Sequence, residues 1–169
     1  MKNKNIILIG MSGAGKSTLG VLLAKALGKH FVDTDILIQQ HTGKLLQEII
    51  DGEGSARFME IEEETVSSMK LENTVIATGG SVVYSDKAMQ TLKQTGTVVY
   101  LKVEFDALAK RLSNITTRGI VFKGSNDLQA VYLERLPLYE KYADITVNST
   151  DRDIEASVGE IVKRVSENI

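Results

Sequence analysis

The 169-residue chain contains no cysteine, which excludes disulfides, cysteine-ligated zinc and a thiol nucleophile. Its two histidines, His30 and His41, are too few for a histidine-built metal cluster. Charge of neither sign dominates. Twenty basic and 22 acidic residues leave a net charge of −2, so the total makes no case for nucleic acid as a partner. No apolar run approaches the roughly 18 residues of a membrane span. The amino-terminal stretch also lacks the apolar core and small-residue cleavage site of a secretory signal. Repeats, low-complexity tracts and linkers are missing too, and proline occurs once, at Pro137. What remains is 43% hydrophobic and 25% charged, an ordinary globular composition with enough length for one domain with a real core. The expectation is a cytoplasmic enzyme with neither nucleic acid nor membrane as partner.

The most informative stretch is Gly10-Met-Ser-Gly-Ala-Gly-Lys-Ser-Thr18, in which Gly10, Gly15, Lys16 and Ser17 fit the pattern G-x-x-x-x-G-K-[ST]. The context is right for that motif. Ile6-Ile-Leu-Ile9 before it reads as a buried parallel strand. Leu19, Leu22, Leu23, Ala26 and Leu27 after it repeat at helical spacing until Gly28 stops them. Without side chains at Gly13 and Gly15 the backbone can curl so that successive N–H groups, Ala14 among them, face a phosphate. The helix N-terminus adds partial positive charge, and Lys16 neutralises the outer phosphates. Ser17 offers a hydroxyl to Mg²⁺, and Thr18 continues the first turn. This is the signature of a nucleoside triphosphate site.

Further along, Lys29-His-Phe-Val-Asp33 reads as a second strand ending in an acidic turn, Asp33-Thr-Asp35. Ligands of open α/β sheets gather at the carboxyl ends of strands. An Asp there can order the water shell of Mg²⁺, or orient an acceptor hydroxyl and take its proton; Asp35 is equally suited to N-cap a helix containing Ile36 to Ile38. Thr42-Gly43 breaks that helix, a short one follows and ends near Asp51-Gly52, and Glu53 to Lys70 continues with apolar positions at Phe58, Ile61, Thr65 and Met69. Glu60, Glu62, Glu63 and Glu64 read as its solvated face. Residues 34–70 thus form a helical insertion between strands, where a small kinase carries its acceptor module. Asn73 to Ala77 is strand-like and runs into Thr78-Gly79-Gly80-Ser81, where adjacent glycines fit either close ligand approach or a tight turn. Strands at Thr97–Leu101 and Asp144–Val147 flank helical patterns marked by Phe105, Leu108 and Leu112, and by Leu128 to Tyr142, whose tyrosines read as packing. Pro137 would bend the latter helix or start its last segment. Residues 113–126 hold Arg118, Gly119, Lys123 and Gly124 without a clean period, and read as a lid or a surface loop. Ile154 to Val165 closes the chain as an amphipathic helix. The alternation gives one α/β domain over 1–169, a parallel sheet covered on both faces.

Taken together the chain resembles the shikimate kinase family. The residues that carry the likeness are Gly10 to Thr18, Phe31-Val-Asp-Thr-Asp35, Thr42-Gly43, Thr78-Gly79-Gly80, Arg118, and Arg135-Leu-Pro-Leu-Tyr139 followed by Ala143-Asp144. The resemblance implies a three-layer α/β/α kinase fold with a five-stranded parallel sheet in the order 2-3-1-4-5, an acceptor module and a lid. It also implies transfer of the γ-phosphoryl group of ATP to a hydroxyl of a small cyclic acid, and the chain is expected to act as a monomer. By the same resemblance Gly13 to Thr18 would hold the nucleotide, with Lys16 on the phosphates. Ser17 would ligate Mg²⁺, and Asp33 would reach it through water. Asp35 would bind the acceptor hydroxyls and act as base, and Gly79 and Gly80 would line the acceptor. Arg111 would lie against adenine, Arg118 would be the lid cation, and Arg135 would meet the acceptor carboxylate.

Three positions depart from the family pattern. Phe58-Met59 stands where the family usually has Phe-Arg, and methionine cannot replace a forked, charged guanidinium that pairs with a carboxylate. Arg57 is the candidate to compensate, although one step along a helix turns a side chain to another face. Ser81 replaces a third glycine, and Arg118-Gly-Ile replaces Arg-Pro-Leu in the lid. These departures motivate a second acceptor class, such as gluconate or homoserine. A nucleotide-dependent switch would instead need a motif such as Asp-x-x-Gly after the second strand, and a nucleoside monophosphate kinase would need base-reading groups.

Overall fold

A computed structural model describes residues 4–112 and 127–167. The expected lid, 113–126 with Arg118, lies outside the described residues. Five strands pair in parallel, β1 (Asn5–Ile9), β2 (His30–Asp33), β3 (Thr74–Ala77), β4 (Gly96–Lys102) and β5 (Ile145–Asn148), in the order β2-β3-β1-β4-β5. β1 and β3 are buried along their whole length, as expected of β-branched runs covered on both faces. Helices α1 (Lys16–Leu27) and α7 (Ile154–Glu167) pack on each other over one face. α3 (Leu46–Ser68), α4 (Asp86–Thr95) and α6 (Leu128–Tyr142) cover the other, with α5 (Phe105–Leu112) against α6. The expected fold class therefore stands. No helix among the described residues is long and apolar enough to cross a membrane.

Register decides where the chemistry collects. Asp33 pairs with Ala77, and Leu8 also pairs with Ala77. The chain leaving β1, β2 and β3 therefore brings Gly10, Asp33 and Thr78 to one edge, the carboxyl edge at which parallel sheets bind ligands. Beyond that edge α2 (Thr34–Thr42) and α3 build a small satellite core of Ile38, Ile49, Phe58 and Ile61, with Met59 packed against it.

Three local details differ from the sequence expectation. The N-cap of α2 is Asp33, not Asp35: its side chain accepts from the Asp35 N–H at 2.9 Å, and Asp35 falls in the first turn. The break expected near Gly52 lies at Gly54, whose φ of 86° divides α3 into two helical segments. Pro137 neither starts nor ends a segment. It sits on the exposed side of α6, four residues after the exposed Leu133, whose carbonyl lacks an N–H partner there and can take one from water.

Candidate active site

The loop after β1 is shaped for an anion by backbone alone. Gly15 caps α1 at φ 95°, a conformation other residues adopt with strain. The first turn of α1 contains no acid to repel a phosphate. Lys16 is nearly buried, and its ammonium donates to the Gly10 and Met11 carbonyls at 2.7 and 2.8 Å, which folds the cation over the loop. Ser17 Oγ donates to Asp33 Oδ2 at 2.5 Å, while the other oxygen of Asp33 holds the Asp35 amide. One carboxylate thus ties the phosphate loop to the start of α2. A cleft opens between these groups, lined by Ser12, Lys16, Ser17, Asp33 and Asp35 and floored by Thr78 to Gly80. Ile36, Leu45 and Leu46 of the α2–α3 module form its apolar wall. Ile36 and Leu45 are among the most exposed large apolar side chains of the chain.

The segment 78–81 is pinned residue by residue. Thr78 donates its N–H and its hydroxyl to the Leu8 carbonyl, and the Gly79 N–H donates to Thr34 Oγ1. The Gly80 carbonyl accepts from the Tyr139 hydroxyl at 2.6 Å. Both glycines lie at close approaches to charged side chains. A Cβ on Gly79 would stand 2.5 Å from Glu62 Oε1 and 3.0 Å from Asp35 Oδ1, and one on Gly80 would stand 2.9 Å from Arg135 Nη1. Three ionisable groups, Asp35, Glu62 and Arg135, are therefore ranged along two glycines.

Arg135 is 1% exposed. Its Nε donates to the Tyr84 hydroxyl at 3.3 Å, and its guanidinium lies 5.2 Å from the centre of that ring. Tyr84 in turn donates to Glu134. The expected packing role of the α6 tyrosines holds for Tyr132, Tyr139 and Tyr142, which are buried. Tyr139 also stacks on Tyr100, and burial pushes its phenol well above the ordinary tyrosine range.

Glu62 corrects the sequence reading. Glu60 and Glu64 are solvated, but Glu62 is 2% exposed. Its Oε2 accepts from Ser81 Oγ at 2.6 Å, and its Oε1 is buried without a hydrogen-bond partner. Burial drives its carboxyl up to about 7; Ser81 works against that rise, as do Arg135 and Lys16, whereas Asp35 adds to it. A usable signal was present: Glu62 lies four residues after Phe58 and four before Val66, on the apolar stripe of α3.

Met59 and its candidate substitute Arg57 also find places. Met59 does not face the cleft with Lys16. It lines an adjoining recess with Glu62, Ser81 and Tyr84. Arg57 joins neither. Its guanidinium lies 3.0 Å from Glu60 and 3.7 Å from Glu64, in a separate surface recess with His41, so it does not compensate for Met59. On the other flank of the phosphate loop, Arg111 donates to the carbonyls of Ala14, Ser149 and Thr150. With Gly13, Arg152 and Ile154 it lines a shallow pocket. Arg152 lies in the link to α7, where nothing in the sequence pattern marks it, and Ile154 is the first residue of that helix. Thr18 is exposed in the first turn of α1.

Comparison with known proteins places this arrangement. The family model described as shikimate kinase matches residues 12–166. A shikimate kinase of Chlorobium chlorochromatii (strain CaD3) is 38% identical over 172 residues, covering 95% of this chain and 90% of the relative. One from Clostridium botulinum (strain Eklund 17B / Type B) is 38% identical over 170 residues, covering 99% of this chain and 100% of its own. Among solved structures, the shikimate kinase of Acinetobacter baumannii in complex with shikimate superposes with a TM-score of 0.88 at 30% identity, covering 98% of this chain and 94% of that one.

Proposed function

The chain belongs to the shikimate kinase family, and on that basis we propose how its own residues transfer the γ-phosphoryl group of ATP to a hydroxyl of shikimate. The observation that carries the reading is that the phosphate loop and Asp35 open onto one cleft over Gly79 and Gly80. Phosphoryl transfer needs little covalent help from a protein; it needs the reactants held in line and the spreading charge neutralised. The loop amides of 13–18 and the Lys16 ammonium serve the triphosphate. Asp35 orients the acceptor hydroxyl and takes its proton as that oxygen bonds to the γ-phosphorus, while the bond from phosphorus to the bridging oxygen breaks and ADP leaves. Arg135, held by Tyr84 against Gly80, receives the acceptor's carboxylate as a charge-assisted pair. Arg111 lies against adenine, and Arg118 comes from the lid.

Ser17 and Asp33 present hard oxygen donors 2.5 Å apart beside the loop, which fits Mg²⁺, an ion that keeps much of its water and needs only one or two protein oxygens besides phosphate. Ser17 would hold it directly and Asp33 through water; bound there, the ion neutralises charge on the transferring phosphates. The chain works in this reading as one kinase domain, a cytoplasmic monomer, with residues 34–70 as acceptor module and 113–126 as lid.

The test is ADP release with Mg²⁺ over a panel of shikimate, gluconate, homoserine, AMP and CMP. Release stimulated by shikimate alone is expected. Turnover of another acid without shikimate would reassign the acceptor, and release indifferent to every acceptor would indicate a nucleotide switch.

A further inference from the structure

Glu134 and Arg135 are consecutive on α6, the first exposed and the second buried. One step along a helix turns their side chains to different faces, yet a single hydroxyl joins them. Tyr84 accepts from Arg135 Nε at 3.3 Å and donates to Glu134 Oε1 at 2.5 Å, and the guanidinium carbon lies 5.2 Å from the centre of the Tyr84 ring. The ring stands on anchored backbone. Tyr84 ends the short turn Val82–Tyr84, whose two valines are buried, and Ser85 behind it caps α4. Glu134 itself lines neither the cleft nor the adjoining recess.

A phenol has one proton. While the Tyr84 oxygen accepts from Arg135, that proton must go elsewhere, and Glu134 takes it in a charge-assisted bond. Such a bond polarises the hydroxyl and makes its oxygen a better acceptor for Nε. A guanidinium is a planar fork, so a held Nε sets the direction of both Nη groups. Nη1 accordingly stands 2.9 Å from where a Gly80 Cβ would be, at the floor of the cleft. Met59 brings no second cation and Arg57 pairs on another face, so the aim of Arg135 decides how well an anionic acceptor is held. We propose that Glu134 is a positioning residue for the acceptor: through Tyr84 it holds Arg135 in the orientation that meets the acceptor's carboxylate, without touching the acceptor itself. This role rests on the reading above, in which Arg135 receives that carboxylate. Charge alone gives the opposite sign. An acid next to Arg135 repels an anionic acceptor, and its removal by that effect would tighten binding.

The experiment measures kcat and both KM values in the wild type, Glu134→Ala, Tyr84→Phe and the double variant. Glu134→Ala and Tyr84→Phe each raise KM for shikimate by about three- to tenfold, the range of one ordinary hydrogen bond, while kcat and KM for ATP stay level. The double variant is no worse than the weaker-binding single one, because both changes cut the same tether. A KM for shikimate that Glu134→Ala lowers or leaves unchanged would overturn the proposal. So would effects that add in full in the double variant, since Glu134 would then act without Tyr84. Glu134 is exposed, so its variant is expected to fold, and the sign of its effect decides the matter alone if Tyr84→Phe does not. The nitrogen-15 resonance of Arg135 Nε–H in acceptor-free protein gives a reading independent of turnover. Glu134→Ala should move it, and an unmoved resonance would sink the tether. If the wild type does not turn over shikimate, the acceptor assignment fails, and the same resonance still reports whether Glu134 reaches Arg135.

Discussion

The phosphate side and the acceptor side of the cleft are built from different materials. On the phosphate side residues 10–18 provide nearly everything from one contiguous stretch, and most of it is main chain and helix terminus. On the acceptor side Asp35, Glu62, Gly79, Gly80 and Arg135 arrive from α2, α3, the turn after β3, and α6. Main-chain geometry tolerates change in the surrounding side chains, because an amide nest has no identity to lose. A constellation of side chains has no such protection. Met59 brings no charge to the recess it shares with Glu62, where a guanidinium would bring one. The comparison teaches that changing a single side chain bears on the acceptor half more than on the phosphate half.

The largest effects should come from the groups at the junction of the two halves. Lys16→Ala and Asp35→Asn are expected to lower kcat by about 10² to 10⁴, with melting temperatures close to wild type. Asp35→Asn should leave KM for ATP unchanged, whereas Lys16→Ala should raise it. Wild-type turnover by Asp35→Asn would break the division, since no acceptor-side group would then touch the reaction.

The next effect is on stability. Glu62 ionises near 4.5 when unfolded and near 7 in the native chain, so between those values the native state holds a proton that the unfolded state has lost. Its contribution to stability is therefore complete below about pH 4.5 and is lost as pH rises to about 7, by up to about 3 kcal/mol. Urea unfolding at about pH 5 and about pH 8 should show this loss in the wild type and not in Glu62→Gln. An equal pH dependence in both would place the ionisation elsewhere.

Met59→Arg sharpens the comparison from the other direction. A guanidinium in the recess beside Glu62 restores a cation and a charge-assisted partner, an interaction of about 1.5 to 3 kcal/mol. We expect KM for shikimate to fall tenfold or more and KM for ATP to stay constant; an unchanged shikimate KM would show that the recess does not belong to the acceptor. The smallest effect is expected for Arg57→Ala. Its partners are solvent-exposed Glu60 and Glu64, and such pairs contribute about 0 to 1 kcal/mol, so both KM values should be unaffected.

What was legible in the sequence follows the same line. The phosphate loop, the parallel sheet and the edge at which ligands collect follow from contiguous pattern and from the rules of parallel sheets, whereas the strand order rests on family likeness. Asp35, Gly79 and Gly80 are candidates by their place at strand ends, Arg135 rests on family likeness alone, and the fold ranges all four along one stretch of backbone. Glu62 was lost because four glutamates in five positions read as a solvated face, although its spacing from Phe58 and Val66 put it inward. Arg57 was drawn toward the site by proximity in sequence, and the 100° step of the helix carried it to another face. The cap of α2 was misplaced by two residues, because Asp33 and Asp35 are equally good caps until the Ser17 bond commits Asp33.

The most direct test of the central claim, that the amide nest and Lys16 hold a triphosphate while Asp35 aims an alcohol at its end, is phosphorus-31 NMR of the reaction with ATP, Mg²⁺ and shikimate. The account predicts a growing phosphate monoester resonance matched one for one by ADP, with no parallel growth of inorganic phosphate. Inorganic phosphate as the sole product, formed at the same rate with or without shikimate, would contradict it.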